Sequence, residues 1–133
     1  MLSGLPRRQL SRYAVSVGPS ATIHWSDEAR DGAIIETPHG RVDEASWQAF
    51  GDHLGDSVSR ASVVPTKKLI INLAALDYMS SRGLRALTLA KREAEAVGVT
   101  IMLASPSDIM REILAISRYD KLFAVTETIE GAL

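Results

Sequence analysis

The chain has 133 residues, 46% of them apolar and 23% charged, with Lys+Arg 15 against Asp+Glu 16 and no cysteine. That size and balance suit one soluble domain with its own core and exclude collagen-like, disordered and strongly charged classes, and a net charge of -1 gives no broad positive field for nucleic acid or anionic lipid. Disulfides, thiolate nucleophiles, Fe–S clusters and Cys-based zinc sites are excluded with the cysteines, and the most apolar run, Leu69 to Leu76, is interrupted by Asn72 and falls far short of the roughly 18 residues that cross a bilayer.

In chain order, residues 1–20 combine Gly4 and Pro6 with Arg7, Arg8 and Arg12 without a sustained period, and are expected to form a loose N-terminal arm ahead of one domain over 21–133. No apolar stretch of secretory length follows those arginines, so a cytoplasmic location is expected. Thr22-Ile23-His24-Trp25 and Ala33-Ile34-Ile35 read as a hairpin turning within Asp27 to Gly32. Trp47, Phe50, Leu54 and Val58 then recur at helical spacing behind Asp43, which is placed near the N-cap. Ser59 to Lys68 reads as a mobile connector, and Leu69 to Leu73 as a strand covered on both faces at the sheet centre.

Ser80-Ser81 opens a second helix whose buried face is predicted as Leu84, Leu87, Ala90, Ala94 and Val97, ended by Gly98. Thr100 to Ala104 is the next covered strand. Pro106 is predicted in the first turn of a third helix with Ile109, Ile113 and Ile116 as its buried stripe; Phe123 to Val125 is a last strand, and Thr128 to Leu133 has room for one more helical turn. The order implies an α/β fold, a mostly parallel sheet with helices packed against it.

Chemistry-bearing motifs are sparse. His24, His39 and His53 lack the spacing of a helical metal pair, and no phosphate loop, dinucleotide fingerprint or nucleophile elbow is present. Glu93/Glu95 and Asp52/Asp56 read as solvated surface charge. The informative segment is Asp77-Tyr78-Met79-Ser80-Ser81-Arg82-Gly83-Leu84, read as the turn from the central strand into the second helix. A helix N-terminus favours an anionic group, so Ser81 could carry a phosphate beside Arg82 and Arg85; equally, Ser80 or Ser81 could serve only as the cap. Gly83 has two readings as well, a close-approach position for a docking partner or a packing glycine.

These pieces resemble the STAS family, shared by anti-sigma factor antagonists and the cytoplasmic tails of sulfate transporters. Gly40-Arg41-Val42-Asp43 resembles its G-x-[LV]-D after the second strand. Ile70 to Leu73 with Leu76 to Leu84 resembles its central strand and serine loop, and Asp120-Lys121-Leu122-Phe123 its D-[KR]-L-F before the last strand. Ser80 stands where the family usually has aspartate, and Arg82 where it often has a small hydroxyl residue.

The resemblance implies a single STAS-type domain, a mixed, mostly parallel sheet with an N-terminal hairpin and three to four flanking helices. It also implies a regulatory, non-catalytic protein without cofactor or metal, an anti-sigma factor antagonist acting by partner switching. The implied partner is an anti-sigma factor that is also a serine kinase of the histidine-kinase-like ATPase type, with a homodimer left open and neither nucleic acid nor membrane insertion expected. Ser81 is the implied phosphoacceptor, with Ser80 as second choice, and Gly40, Arg41, Asp43, Ser80, Ser81, Arg82, Gly83 and Arg85 form the implied partner surface. The alternatives are a constitutive STAS scaffold in a lipid-transport ATPase or sensory assembly, and a nucleotide or anion sensor.

Overall fold

A computed structural model describes residues 23–133; the arm expected over 1–20 lies outside the described residues. Strand β1 (His24–Arg30) and strand β2 (Ala33–Val42) form an antiparallel hairpin. The turn is only Asp31-Gly32, both at positive φ (53° and 78°), the mirror-image geometry that matches strand twist and that an Asp-Gly pair adopts at low cost. Polar Asp27 and Glu28, which the sequence places in the turn, instead continue β1 as an exposed edge strand. Helix α1 (Trp47–Ala61) follows and buries Phe50, Leu54 and Val58 as its spacing predicts. The connector to β3 (Lys68–Asn72) is shorter than expected, residues 62–67, and it is pinned: Thr66 donates its amide (3.2 Å) and hydroxyl (2.7 Å) to the Gly32 carbonyl.

β3 is the central strand, with Leu69, Ile70 and Ile71 fully buried. Asn72 then ends it by accepting the Ala74 amide on its side chain, 3.1 Å. Asp77 to Met79, expected in a turn, belong instead to strand β4 (Leu76–Met79), parallel to the far half of β2. β2 thus pairs β3 through Ile34, Ile35 and Glu36 and then β4 beyond a bulge at Gly40/Arg41. Gly40 sits at φ 116°, a conformation L side chains rarely adopt, and its amide reaches Ala75 O at 3.1 Å. Gly40 to Val42 therefore close β2 rather than follow it.

Helix α2 (Ser81–Ala96) buries Leu84, Leu87, Ala90 and Ala94. Val97 is 46% exposed because it is the C-cap, past the last helical turn; Val99 is buried in its place. After β5 (Thr100–Ala104), helix α3 (Asp108–Ser117) begins behind Ser107, whose Oγ accepts the Met110 amide (3.3 Å) and donates to Leu76 O (2.7 Å). Pro106 lies before this cap, not in the first turn. That anchorage also turns the helix: Met110 and Leu114 are buried while Ile109 and Ile116 are 40% and 81% exposed, so the predicted isoleucine stripe is displaced by one residue. A short α4 (Tyr119–Leu122), β6 (Ala124–Thr126) and α5 (Ile129–Ala132) complete the chain.

Among the described residues the strand order is β1-β2-β3-β5-β6 with β4 beside β2, all parallel except the hairpin, the mixed α/β architecture expected, and two of the five helices there are a single turn long. The larger core lies between one sheet face and α1, α2 and α3. On the other face Ala33, Ile35, Ile70 and Ala104 meet Ala132, and Lys68 Nζ holds that C-terminal turn through the carbonyls of Ala132 (2.8 Å) and Leu133 (3.0 Å). Among the described residues no helix is long and apolar enough to cross a membrane.

One buried polar cluster ties the hairpin to α1. Glu36 is fully buried and accepts from His53 Nε2 (3.1 Å), Ser57 Oγ (2.8 Å) and Arg60 Nη2; Arg60 Nη1 reaches Asp27 at 3.0 Å, and Trp25 stacks on His53 at 3.9 Å. Burial pushes the Glu36 carboxyl up, but the bonds from His53, Ser57 and Arg60 outweigh it and hold it below the ordinary carboxylate range.

Candidate functional site

Two segments meet where β2 and β4 end side by side. The Ser80 amide donates to Val42 O at 2.8 Å, joining the start of α2 to the end of β2. Gly83, in the first turn of α2, is buried against the same strand: a Cβ there would lie 2.6 Å from Met79 Cγ and 2.7 Å from Val42 Cγ1. This decides between its two readings. Gly83 is a packing glycine that lets the serine segment lie on β2, and it is inaccessible to a partner.

The two serines also separate. Ser80 is the N-cap, in extended backbone, with its Oγ accepting the Gly83 amide at 3.3 Å. Ser81 is the first helical residue, exposed, and its hydroxyl has no hydrogen-bond partner among the described residues.

On the facing segment Asp43 organises a turn just before α1. Its carbonyl accepts the Trp47 amide (2.9 Å), and its carboxylate accepts the Ala45 amide (3.0 Å) and Arg41 Nε (3.2 Å). It thus caps the turn that precedes the helix, three residues ahead of the assigned N-cap Ser46. Buried Ser46 donates to Arg41 O at 2.8 Å and accepts the Asp43 amide at 3.0 Å. Desolvation, the largest single influence, pushes the Asp43 carboxyl up, but the Ala45 amide, Arg41 and Ser46 together outweigh it and hold it below the ordinary carboxylate range.

The cations lie across this turn. Arg41 stacks over Tyr78 at 4.7 Å from the ring centroid, and Arg82 over Trp47 at 5.2 Å while reaching Glu44 Oε1 at 3.4 Å. Arg85 is exposed and pairs with no carboxylate among the described residues. The structure therefore gathers Arg41, Asp43, Ser80, Ser81, Arg82 and Arg85 around one surface, with Gly40 and Gly83 as the backbone positions that bring its halves together. Sequence reasoning missed Glu44, Ser46, Trp47 and Tyr78. Only Asp43-x-x-Ser46 carried a local signal, a polar pair three apart ahead of an apolar helical run; the others are contacts across the two segments.

Chemically the site offers the exposed Ser81 hydroxyl, the Asp43 carboxylate held by hydrogen bonds, and the exposed guanidinium groups of Arg41, Arg82 and Arg85. Among the described residues no group of three or more His, Asp or Glu is placed to hold a metal.

A model of the STAS domain family matches residues 24–132. BtrV of Bordetella bronchiseptica, named as a candidate anti-sigma factor antagonist, is 28% identical over 102 residues, covering 77% of this chain and 84% of BtrV. A STAS-domain containing protein of Pseudomonas aeruginosa is 31% identical over 87 residues, 65% of this chain and 81% of that protein. The crystal structure of an anti-sigma factor antagonist from Mycobacterium paratuberculosis superposes with a TM-score of 0.73 at 22% identity, covering 86% of this chain and 93% of that one, which establishes a shared fold. The fold, the serine segment at the start of α2 and the family match over nearly all described residues lead to one conclusion: this chain belongs to the STAS domain family.

Proposed function

We propose that the protein is an anti-sigma factor antagonist that acts by binding alone, in the cytoplasm, and that Ser81 is its switch. In this reading the unphosphorylated protein binds an anti-sigma factor of the histidine-kinase-like ATPase type through Arg41, Asp43, Arg82 and Arg85, and releases the sigma factor. Phosphorylation of Ser81 by that partner weakens the complex. The observation that carries the reading is the division of labour between the serines: Ser80 Oγ is used by the helix cap, whereas Ser81 Oγ is exposed on the same surface as the charged groups. A phosphate there adds roughly two negative charges at a helix N-terminus, where the backbone field tolerates them.

The anion-sensor alternative has less support, since one first-turn amide, that of Gly83, is already taken by Ser80. The constitutive scaffold differs in its partner, a lipid-transport ATPase or sensory assembly, and in leaving Ser81 unmodified. An exchange assay separates the two: the ATPase-type anti-sigma factor from the same genome, loaded with labelled sigma factor, is titrated with wild-type protein and with Ser81→Ala and Ser81→Asp. Release by wild type and Ser81→Ala but not by Ser81→Asp supports the switch. Equal release by all three refutes it.

A further inference from the structure

Beyond Arg82 the exposed face of α2 continues as Arg85, Leu89 and Arg92, spaced three, four and three residues apart and so aligned along one side of the helix. Leu89 is 43% exposed in the middle of this line. Arg82 lies over the Trp47 ring, and among the described residues it pairs with one carboxylate, Glu44, in a bridge whose side chains are 57% and 71% exposed and easily exchanged. Neither Arg85 nor Arg92 is paired with a carboxylate among the described residues. On a chain of net charge -1, three arginines around one leucine are a local exception. Arginine flanking an apolar contact is the chemistry of a protein interface, and its complement is a surface bearing carboxylates.

Ser81 lies at the head of this line, with Arg85 four residues on, the spacing at which a negative group and a following cation attract across one helical turn. Resting on the reading of Ser81 as phosphoacceptor, we infer that the arginine ridge of α2 docks an acidic surface of the protein partner, and that a phosphate on Ser81 is received by Arg85 and Arg82 of the same molecule. Phosphate and partner carboxylates then compete for the same guanidinium groups. Phosphorylation acts by withdrawing the upper half of the ridge as well as by adding charge.

The phosphate half is tested without any kinase, by encoding phosphoserine at position 81 and following its second ionisation, normally near 6, by phosphorus NMR. Arg85→Gln should raise the midpoint by roughly 0.2–0.4 pH units, what one exposed i, i+4 ion pair supports, and Arg85→Lys should restore most of it. Arg92→Gln should leave it unchanged, because Arg92 is eleven residues and about 16 Å along the helix from Ser81, beyond the screening length. An unmoved midpoint in Arg85→Gln overturns the capture.

The docking half uses the anti-sigma factor of the exchange assay. Arg92→Gln in unphosphorylated protein should weaken association roughly three- to tenfold and flatten its salt dependence; wild-type affinity overturns the ridge. Binding that depends on Arg92 but goes to RNA or to phosphatidylglycerol vesicles, and not to the anti-sigma factor, overturns the acidic protein as occupant. If Ser81 is never modified in cells the proposed switch fails, yet the titration still reports whether these arginines receive a phosphate.

Discussion

The tightest contact in the candidate site predicts the sign of a single substitution. Gly83→Ala adds a methyl group at a helical position, which in an exposed helix stabilises by about 1 kcal/mol. Here the added carbon would lie 2.6 Å from Met79 Cγ and 2.7 Å from Val42 Cγ1. Met79 is flexible and can yield; Val42 is β-branched, fully buried and fixed in β2, so the helix start must move away from the strand. Overpacking of this kind costs about 1–3 kcal/mol, leaving a net loss of about 1 kcal/mol.

Gly55→Ala in α1 is the control, since its added carbon meets only Glu93 Oε1 at 3.5 Å, an ordinary contact, and it should stabilise by about 0.5–1 kcal/mol. In urea unfolding, with a slope of about 1–2 kcal/mol per M, the Gly83→Ala midpoint should fall by about 0.5–1 M while that of Gly55→Ala rises. Trimming the obstacle in Val42→Ala/Gly83→Ala should recover part of the loss relative to the summed single changes. A Gly83→Ala protein as stable as wild type would refute the packing account of the serine segment.

Other expectations follow from the same geometry. Ser80→Ala should cost about 1 kcal/mol by loss of the α2 cap, whereas Ser81→Ala should stay within about 0.5 kcal/mol, both read from thermal or urea midpoints. Leu114→Ala should cost about 2–5 kcal/mol and Ile116→Ser almost nothing; the reverse order would return α3 to the isoleucine face. Glu36→Ala should cost about 2–3 kcal/mol, less than a fully buried ion pair because Arg60 can turn to water.

The acid limb of stability follows from Glu36 as well. Its folded carboxyl lies below the ordinary glutamate value of 4.5, so its contribution is fully present above that pH and is lost as pH falls through the folded value. Wild type should therefore lose stability more steeply below pH 4.5 than Glu36→Gln, in urea unfolding at stepped pH.

Much of this was legible in the sequence because it is local. The helical spacing of Trp47, Phe50, Leu54 and Val58, the apolar run at Leu69 and the Ser80-Ser81 helix start each depend on neighbours within a turn or strand. The misplacements arose where distant contacts decide. β4 is four residues containing Asp77 and Tyr78, and it is a strand only because the bulge at Gly40 brings the far half of β2 beside it. Helix α3 carries two overlapping apolar stripes, Ile109/Ile113/Ile116 and Met110/Ile113/Leu114, and the bond from Ser107 to Leu76 O accompanies burial of the second. The Glu36 cluster had a readable trace, a lone carboxylate in an apolar strand with His53, Ser57 and Arg60 on one helical face, although nothing local joins the two elements. In the site, Asp43, Ser80 and Arg82 stood out as motif positions, while Trp47 and Glu44 are visible only once Arg82 lies across them.

In the proposed switch Ser81 is modified and Ser80 is not. Phosphosite mapping on protein recovered from its native cells under several growth conditions tests it most directly, since trypsin releases both serines in one peptide, Leu69 to Arg82. Condition-dependent phosphate, assigned to Ser81 by fragment ions, is the expected result. Phosphate on Ser80, or a well-covered peptide that is unmodified in every condition, would contradict it.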